Sequence, residues 1–133
     1  YKKKSVVSRY GAENPAYDTF TKIDFVYDSA VASLKVAKNV KSEGELVISG
    51  TKACLFVPAP WWKTDYFEIH YEDPRSNKRF FYKLEGEGIR HLLVAFAGAV
   101  KDKQENFLVE EKVSEKIIEV FSDFYKKIDT TLI

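Results

Sequence analysis

The feature that narrows the fold most is a change of hydrophobic period along the chain. Over the first two-thirds, apolar residues alternate with polar ones; over the last third they recur at helical spacing. Strands followed by helices indicate an α+β domain: a mostly antiparallel, open-faced sheet with helices packed on one face. The 133 residues suit one domain spanning 1–133. A chain of this size buries about two-thirds of its unfolded surface, enough for a core without staples.

Lys2 to Arg9 reads as a first strand, and Gly11 to Pro15 as a loop. In Thr19 to Tyr27, residues Thr21, Ile23, Phe25 and Tyr27 share one face, and Phe20, Lys22, Asp24 and Val26 share the other. Asp28-Ser29 turns the chain into Val31 to Lys38. This hairpin has one partly polar face, the pattern of a sheet with one side on the core and the other open to water or a partner. Glu45 to Ser49 and Ala53 to Val57 form a second hairpin around Gly50-Thr51. Pro58-Ala-Pro60 then ends the ladder, since proline cannot donate. Asp65 to Tyr71 and Lys78 to Leu84 form a third hairpin through the turn chemistry of Asp73 to Asn77.

Gly86 and Gly88 mark a strand-to-helix break. Ile89, Leu92, Leu93, Phe96 and Val100 follow at helical spacing. A second helix runs from about Glu110 to Lys127, with Val113, Ile117, Val120, Phe121, Phe124 and Ile128 as its stripe. Glutamates at its start and lysines at its end suit the helix dipole.

Several function classes fall away. Lys plus Arg is 21 against 20 Asp plus Glu, a balance that removes the usual signature of a nucleic-acid or anionic-membrane partner. No apolar run reaches the roughly 18 residues of a membrane helix, and no leader pattern opens the chain. A single cysteine, Cys54, excludes an internal disulfide and fits a reducing, cytoplasmic setting. Methionine is absent, even at position 1, so the expectation is an excised domain or a processed protein.

The chemistry-bearing residues are sparse. No glycine cluster makes a phosphate loop. His70, His91 and Cys54 have no metal-ligand spacing, and the histidines read as surface or partner-facing. Cys54, in an apolar strand, reads as a small buried hydrophobe. Asp24, Glu43, Glu45 and Glu68 are too scattered to pair and read as a solvated face. Trp61-Trp62, after Pro-Ala-Pro, would either stack on sugar rings or plug a sheet edge or seam. Lys35, Lys38 and Lys41 flank Asn39 and Ser42 at one strand-loop junction. They would either hold a hydroxylated or phosphorylated ligand or form a soluble loop.

Three stretches together resemble a known family. Val47-Ile-Ser-Gly-Thr-Lys-Ala-Cys-Leu-Phe-Val-Pro58 is similar to the "xxxGTKGxxxxP" strand-turn-strand of the Gfo/Idh/MocA oxidoreductases, the glucose-fructose oxidoreductase and inositol dehydrogenase relatives. Ala53 stands where that family commonly has glycine. Ala30 to Lys38 resembles the family's small-residue strand. Tyr82-Lys-Leu-Glu-Gly-Glu-Gly88, with its helix and the final helix, matches in order and spacing, so the likeness covers nearly the whole chain.

The resemblance implies a C-terminal substrate and dimerisation domain whose parent binds NAD(P) on an N-terminal Rossmann domain, the missing partner in cis. It implies a sugar, polyol or related hydroxylated substrate. The family's GxGxxG, its Glu-Lys-Pro segment with the catalytic lysine, and its Asp-x-x-x-His or Asp-Gly motif are missing. No catalytic, cofactor or metal residue therefore carries over, and no cofactor is expected in this chain itself. By position the family's substrate-facing stretch falls on Lys41, Ser42 and Glu43, with Lys38 and Asn39 as neighbours. A homo-oligomer through the open sheet face is expected as well, because a flat face bearing apolar residues needs a cover. The competing expectation is a carbohydrate- or partner-binding module without catalysis, using Trp61 and Trp62.

Overall fold

The computed structural model describes residues 1–12, 17–38, 40–41, 44–83, 86, 88–102 and 109–133. Its strands and helices run in chain order as β1 (Lys3–Tyr10), β2 (Asp18–Val26), β3 (Val31–Ala37), β4 (Leu46–Ser49), β5 (Ala53–Val57), β6 (Tyr66–Tyr71), β7 (Lys78–Phe81), α1 (Ile89–Asp102), α2 (Glu111–Tyr125) and β8 (Thr130–Leu132). The fold is α+β with open, mostly antiparallel sheets, as the change of period indicates.

The strands divide between two compact units. The first, Tyr1–Ser42 with Val109–Ile133, carries a four-stranded sheet in the order β3-β2-β1-β8, together with α2. The second, Glu43–Leu108, carries a four-stranded sheet in the order β4-β5-β6-β7, together with α1. The hairpins have the expected partners: β2 pairs with β3, β4 with β5 and β6 with β7, all antiparallel. Turn chemistry sets them. The Tyr27 amide donates to the Ala30 carbonyl across Asp28-Ser29, and the Asp73 side chain caps a one-turn 3-10 helix, Pro74–Ser76.

In the first unit, alternation chooses the covered face. Register sets Lys4 beside Phe25, Val6 beside Ile23 and Ser8 beside Thr21, so the Thr21, Ile23 and Phe25 face is the one that buries. Val6 is its apolar centre. Around it the interior is polar and satisfied. The Thr21 hydroxyl donates to the Asp18 carboxylate at 2.5 Å. A carboxylate only accepts, so Ser8, 2.8 Å from Thr21 Oγ1, must be the donor to that hydroxyl.

The most demanding group is Lys4. Only 4% of its side chain is exposed, and its Nζ donates to Asp123 on α2 at 2.5 Å and to Asp129 at 3.2 Å. These bonds fix α2 against β1. Its end is a Schellman motif: the Lys127 amide donates to the Phe124 carbonyl and the Ile128 amide to the Asp123 carbonyl. Lys127 takes the left-handed position, φ 58°, that glycine usually fills.

That reversal sets up β8, a strand the sequence reading leaves out. The Val6 amide donates to the Asp129 carbonyl, and β8 runs parallel to β1 with Val6 opposite Thr130. Three residues are too few to show alternation, which is why β8 is invisible to pattern.

The Lys4 pair supplies a stability prediction. Hydrogen bonding from Asp123 chiefly raises the Lys4 pKa above 10.5, with desolvation opposing it. The cover is thin, so the pair belongs at the lower end of the buried range. Asp123→Ala should cost about 3 kcal/mol by urea unfolding, because it strands a buried cation. Asp129, half exposed, should cost under about 1 kcal/mol on the same change. A raised lysine pKa gives stability that is complete below pH 10.5 and lost as pH climbs through the higher folded value. Asp123→Ala should flatten that alkaline loss; equal costs for both variants would refute the assignment.

Candidate functional site

The first unit holds an open cleft of about 390 Å³ at one end of its sheet. It is lined by Arg9 and Tyr10 from β1, by Gly11 and Ala12 after it, by Thr19 and Phe20 from β2, and by Val40 and Ile133. The cleft exists because the ladder breaks there. Arg9 pairs with Phe20 but Tyr10 pairs with Asp18, leaving Thr19 as an extra residue in β2. Such a bulge bends a strand and re-aims side chains. The Thr19 hydroxyl donates to the Arg9 carbonyl at 3.1 Å, and its own carbonyl accepts from the Lys38 amide at 2.9 Å.

The cleft adjoins the lysine loop that the sequence singles out. Lys38 is exposed, and its Nζ sits 4.7 Å from the centre of the Tyr17 ring. Lys41 is exposed too, one residue beyond Val40 of the cleft lining. Asn39, Ser42 and Glu43 lie outside the described residues. Lys35 stands on β3, in register with Lys22.

Trp61 and Trp62 belong to the second unit. They are 49% and 58% exposed, and their rings meet edge to face at 6.0 Å and 90°. The Trp61 amide donates to the Gly44 carbonyl at 2.9 Å, and the Trp62 ring lies against the space where a Cβ on Gly44 would stand. Gly44 has φ 71°, a conformation a larger residue adopts only with strain. The two rings therefore offer separate apolar faces, not one flat platform.

The second unit also contains a charge network that sequence reasoning missed. Glu68 accepts from Arg79 Nε at 2.6 Å and from a second guanidinium nitrogen of Arg79. It lies 2.5 Å from His70 Nε2, and since a carboxylate only accepts, His70 is the donor. The Arg79 guanidinium lies 4.9 Å from the Tyr66 ring centre, and the His70 ring stacks on Phe56 at 5.9 Å. The signal was present: Glu68 and His70 share a strand face, and hairpin register brings Arg79 opposite Glu68. Fully engaged, Glu68 acts as a rivet between β6 and β7, not as a base. Asp24 is likewise paired, with Lys22 and Ser33, and not merely solvated.

Cys54 is half-buried, in register with His70, which corrects the expectation of a buried thiol. His91 is exposed on α1. Among the described residues no group of three or more His, Cys, Asp and Glu is placed to hold a metal ion. No helix among them is long and apolar enough to cross a membrane. No protein-family model matches the chain, and no curated protein is similar to it at a significant level.

Hydrogen bonds from His70 first, then Arg79, hold the Glu68 carboxyl below its ordinary 4.5. A lowered carboxylate pKa gives stability that is present above pH 4.5 and lost as pH falls through the folded value. Glu68→Gln should therefore make unfolding less pH-dependent below pH 4.5, followed by circular dichroism. An unchanged acid limb would show that the network contributes nothing.

Proposed function

We propose that this chain is the C-terminal substrate and subunit-contact domain of an NAD(P)-dependent oxidoreductase acting on a sugar, polyol or related hydroxylated substrate. The observation that carries the reading is its exposed apolar surface. Val31 at the edge of one sheet is 73% exposed and Phe81 at the edge of the other is 71% exposed. Leu92, Leu93 and Phe96 on α1 are exposed as well. Apolar area on this scale asks for a cover. In this reading the cover is another copy of the chain and a nucleotide-binding domain in cis, in a cytoplasmic enzyme. The cleft beside Lys38 and Lys41 takes the substrate. The cofactor supplies the hydride chemistry; this chain supplies position.

Two measurements test it. Calorimetry with NADH should give no heat for this chain alone; a micromolar site would overturn the assignment of domains. Light scattering should show a dimer or larger species, and a strict monomer at high concentration would remove the subunit-contact role.

The exposure of Trp61 and Trp62 favours a second reading, a carbohydrate-binding module without catalysis. Acrylamide should then quench tryptophan fluorescence strongly in the assembled protein. Weak quenching there would mean that the rings are covered by assembly, and would count against this module.

A further inference from the structure

We infer that the cleft at the Thr19 bulge binds a small organic acid, with the carboxylate on Arg9 and the carbon skeleton against Phe20, Val40 and Ile133. The inference rests on the reading that the cleft takes a small molecule, and it names an acid where that reading names a sugar or polyol.

The argument begins with charge. Arg9 is the one charged side chain among the described cleft-lining residues. Among the described residues its guanidinium has no hydrogen-bond or ion-pair partner. A guanidinium presents a planar fork of donors that matches a carboxylate's two oxygens. Two further lysines of this unit have no carboxylate partner among the described residues. Lys127 Nζ sits 5.0 Å from the ring centre of Tyr10, which itself lines the cleft, and Lys38 Nζ sits over Tyr17. The carboxylate nearest in register, Asp18 opposite Tyr10, accepts from the Thr21 hydroxyl. A hydroxyl donor leaves Asp18 its charge, so the preference for an anion rests on the Arg9 fork, which has no partner among the described residues.

The rest of the lining sets the body of the ligand. Val40 and Ile133 are exposed apolar side chains, and Phe20, which lines the cleft with them, is half-buried. Covering them removes apolar surface from water. A volume of about 390 Å³ is at the small end of ligand pockets and suits a compact molecule. The bulge preorganises the charge: the Thr19 hydroxyl holds the Arg9 carbonyl, fixing the strand residue that bears the guanidinium.

The test is two-dimensional NMR on the full chain with three probes: 3-phenylpropanoate, its uncharged amide and myo-inositol. The acid should shift the Gly11 and Phe20 amides with a dissociation constant on the order of 1 mM, as expected for a ligand of this size. The amide should bind at least about tenfold more weakly. Arg9→Gln should weaken the acid by a similar factor, and Arg9→Lys should recover part of it by restoring the charge. Equal binding of acid and amide, or an unchanged affinity in Arg9→Gln, would overturn the inference. Shifts from myo-inositol but not from the acid would overturn it while leaving the polyol reading of the cleft standing. No shift from any probe would remove the cleft as a ligand site, leaving the subunit-contact role intact.

Discussion

A lysine ammonium under a helix is the demand around which the first unit is arranged. Lysine is rarely buried unless paired, because a charge removed from water must be compensated within reach. Lys4 finds both carboxylates at the C-terminal end of α2: Asp123 in its last turn and Asp129 just beyond. Meeting both requires the helix to end over β1 and the chain to reverse at once. The left-handed residues Lys127 and Asp129 accomplish that reversal. The Asp129 carbonyl then receives the Val6 amide, and β8 follows beside β1. One electrostatic requirement thus sets the helix position, the last strand and, through the Ile133 amide on the Ser8 carbonyl, one wall of the cleft.

The second unit solves the same problem of charge on a sheet without burying a cation among its described residues. Glu68, the less exposed partner, sits between Arg79 and His70, and the rings of Tyr66 and Phe56 lie against the two bases. The carboxylate is compensated in place and the cations keep access to water. Such a network ties neighbouring strands and fixes register, since a slip by one residue would move Arg79 to the opposite face. Its apolar neighbours, Phe67 and Phe80, stack at 5.0 Å across the same hairpin on the other face. Cross-strand pairs on both faces, not a deep core, hold this sheet together.

What the sequence made legible follows from period. Alternation located β2, β3, β5 and β6 closely and separated the two faces of β2, because those strands are long enough to repeat. Gly86 and Gly88 take φ 74° and 81° just before α1, as the strand-to-helix break requires. Lys4 could not be read as interior, since its partners lie more than a hundred residues away. Glu68 and Arg79 were within reach of hairpin register but not of a search for clustered motifs. Of the loop that the family likeness singled out, Lys38 and Lys41 flank the cleft, while Arg9, Thr19 and Phe20 carry no local pattern that marks them.

The reason they carry none is geometric. Alternation along β1 places Arg9 on one face of the sheet and Tyr10 on the other, yet both border the same cleft. A site on a sheet face draws its residues from alternate positions and leaves a period-two trace. A site at a sheet end draws consecutive residues from a bulge, from the turn beyond it and from distant strands that finish at the same level. Nothing in the spacing of Arg9, Thr19, Val40 and Ile133 records that arrangement, because it is made by the break in pairing between β1 and β2 and by the parallel docking of β8. Arg9 itself stays in register, opposite the apolar Phe20. Its backbone is held by the Thr19 hydroxyl, and its guanidinium has no partner among the described residues.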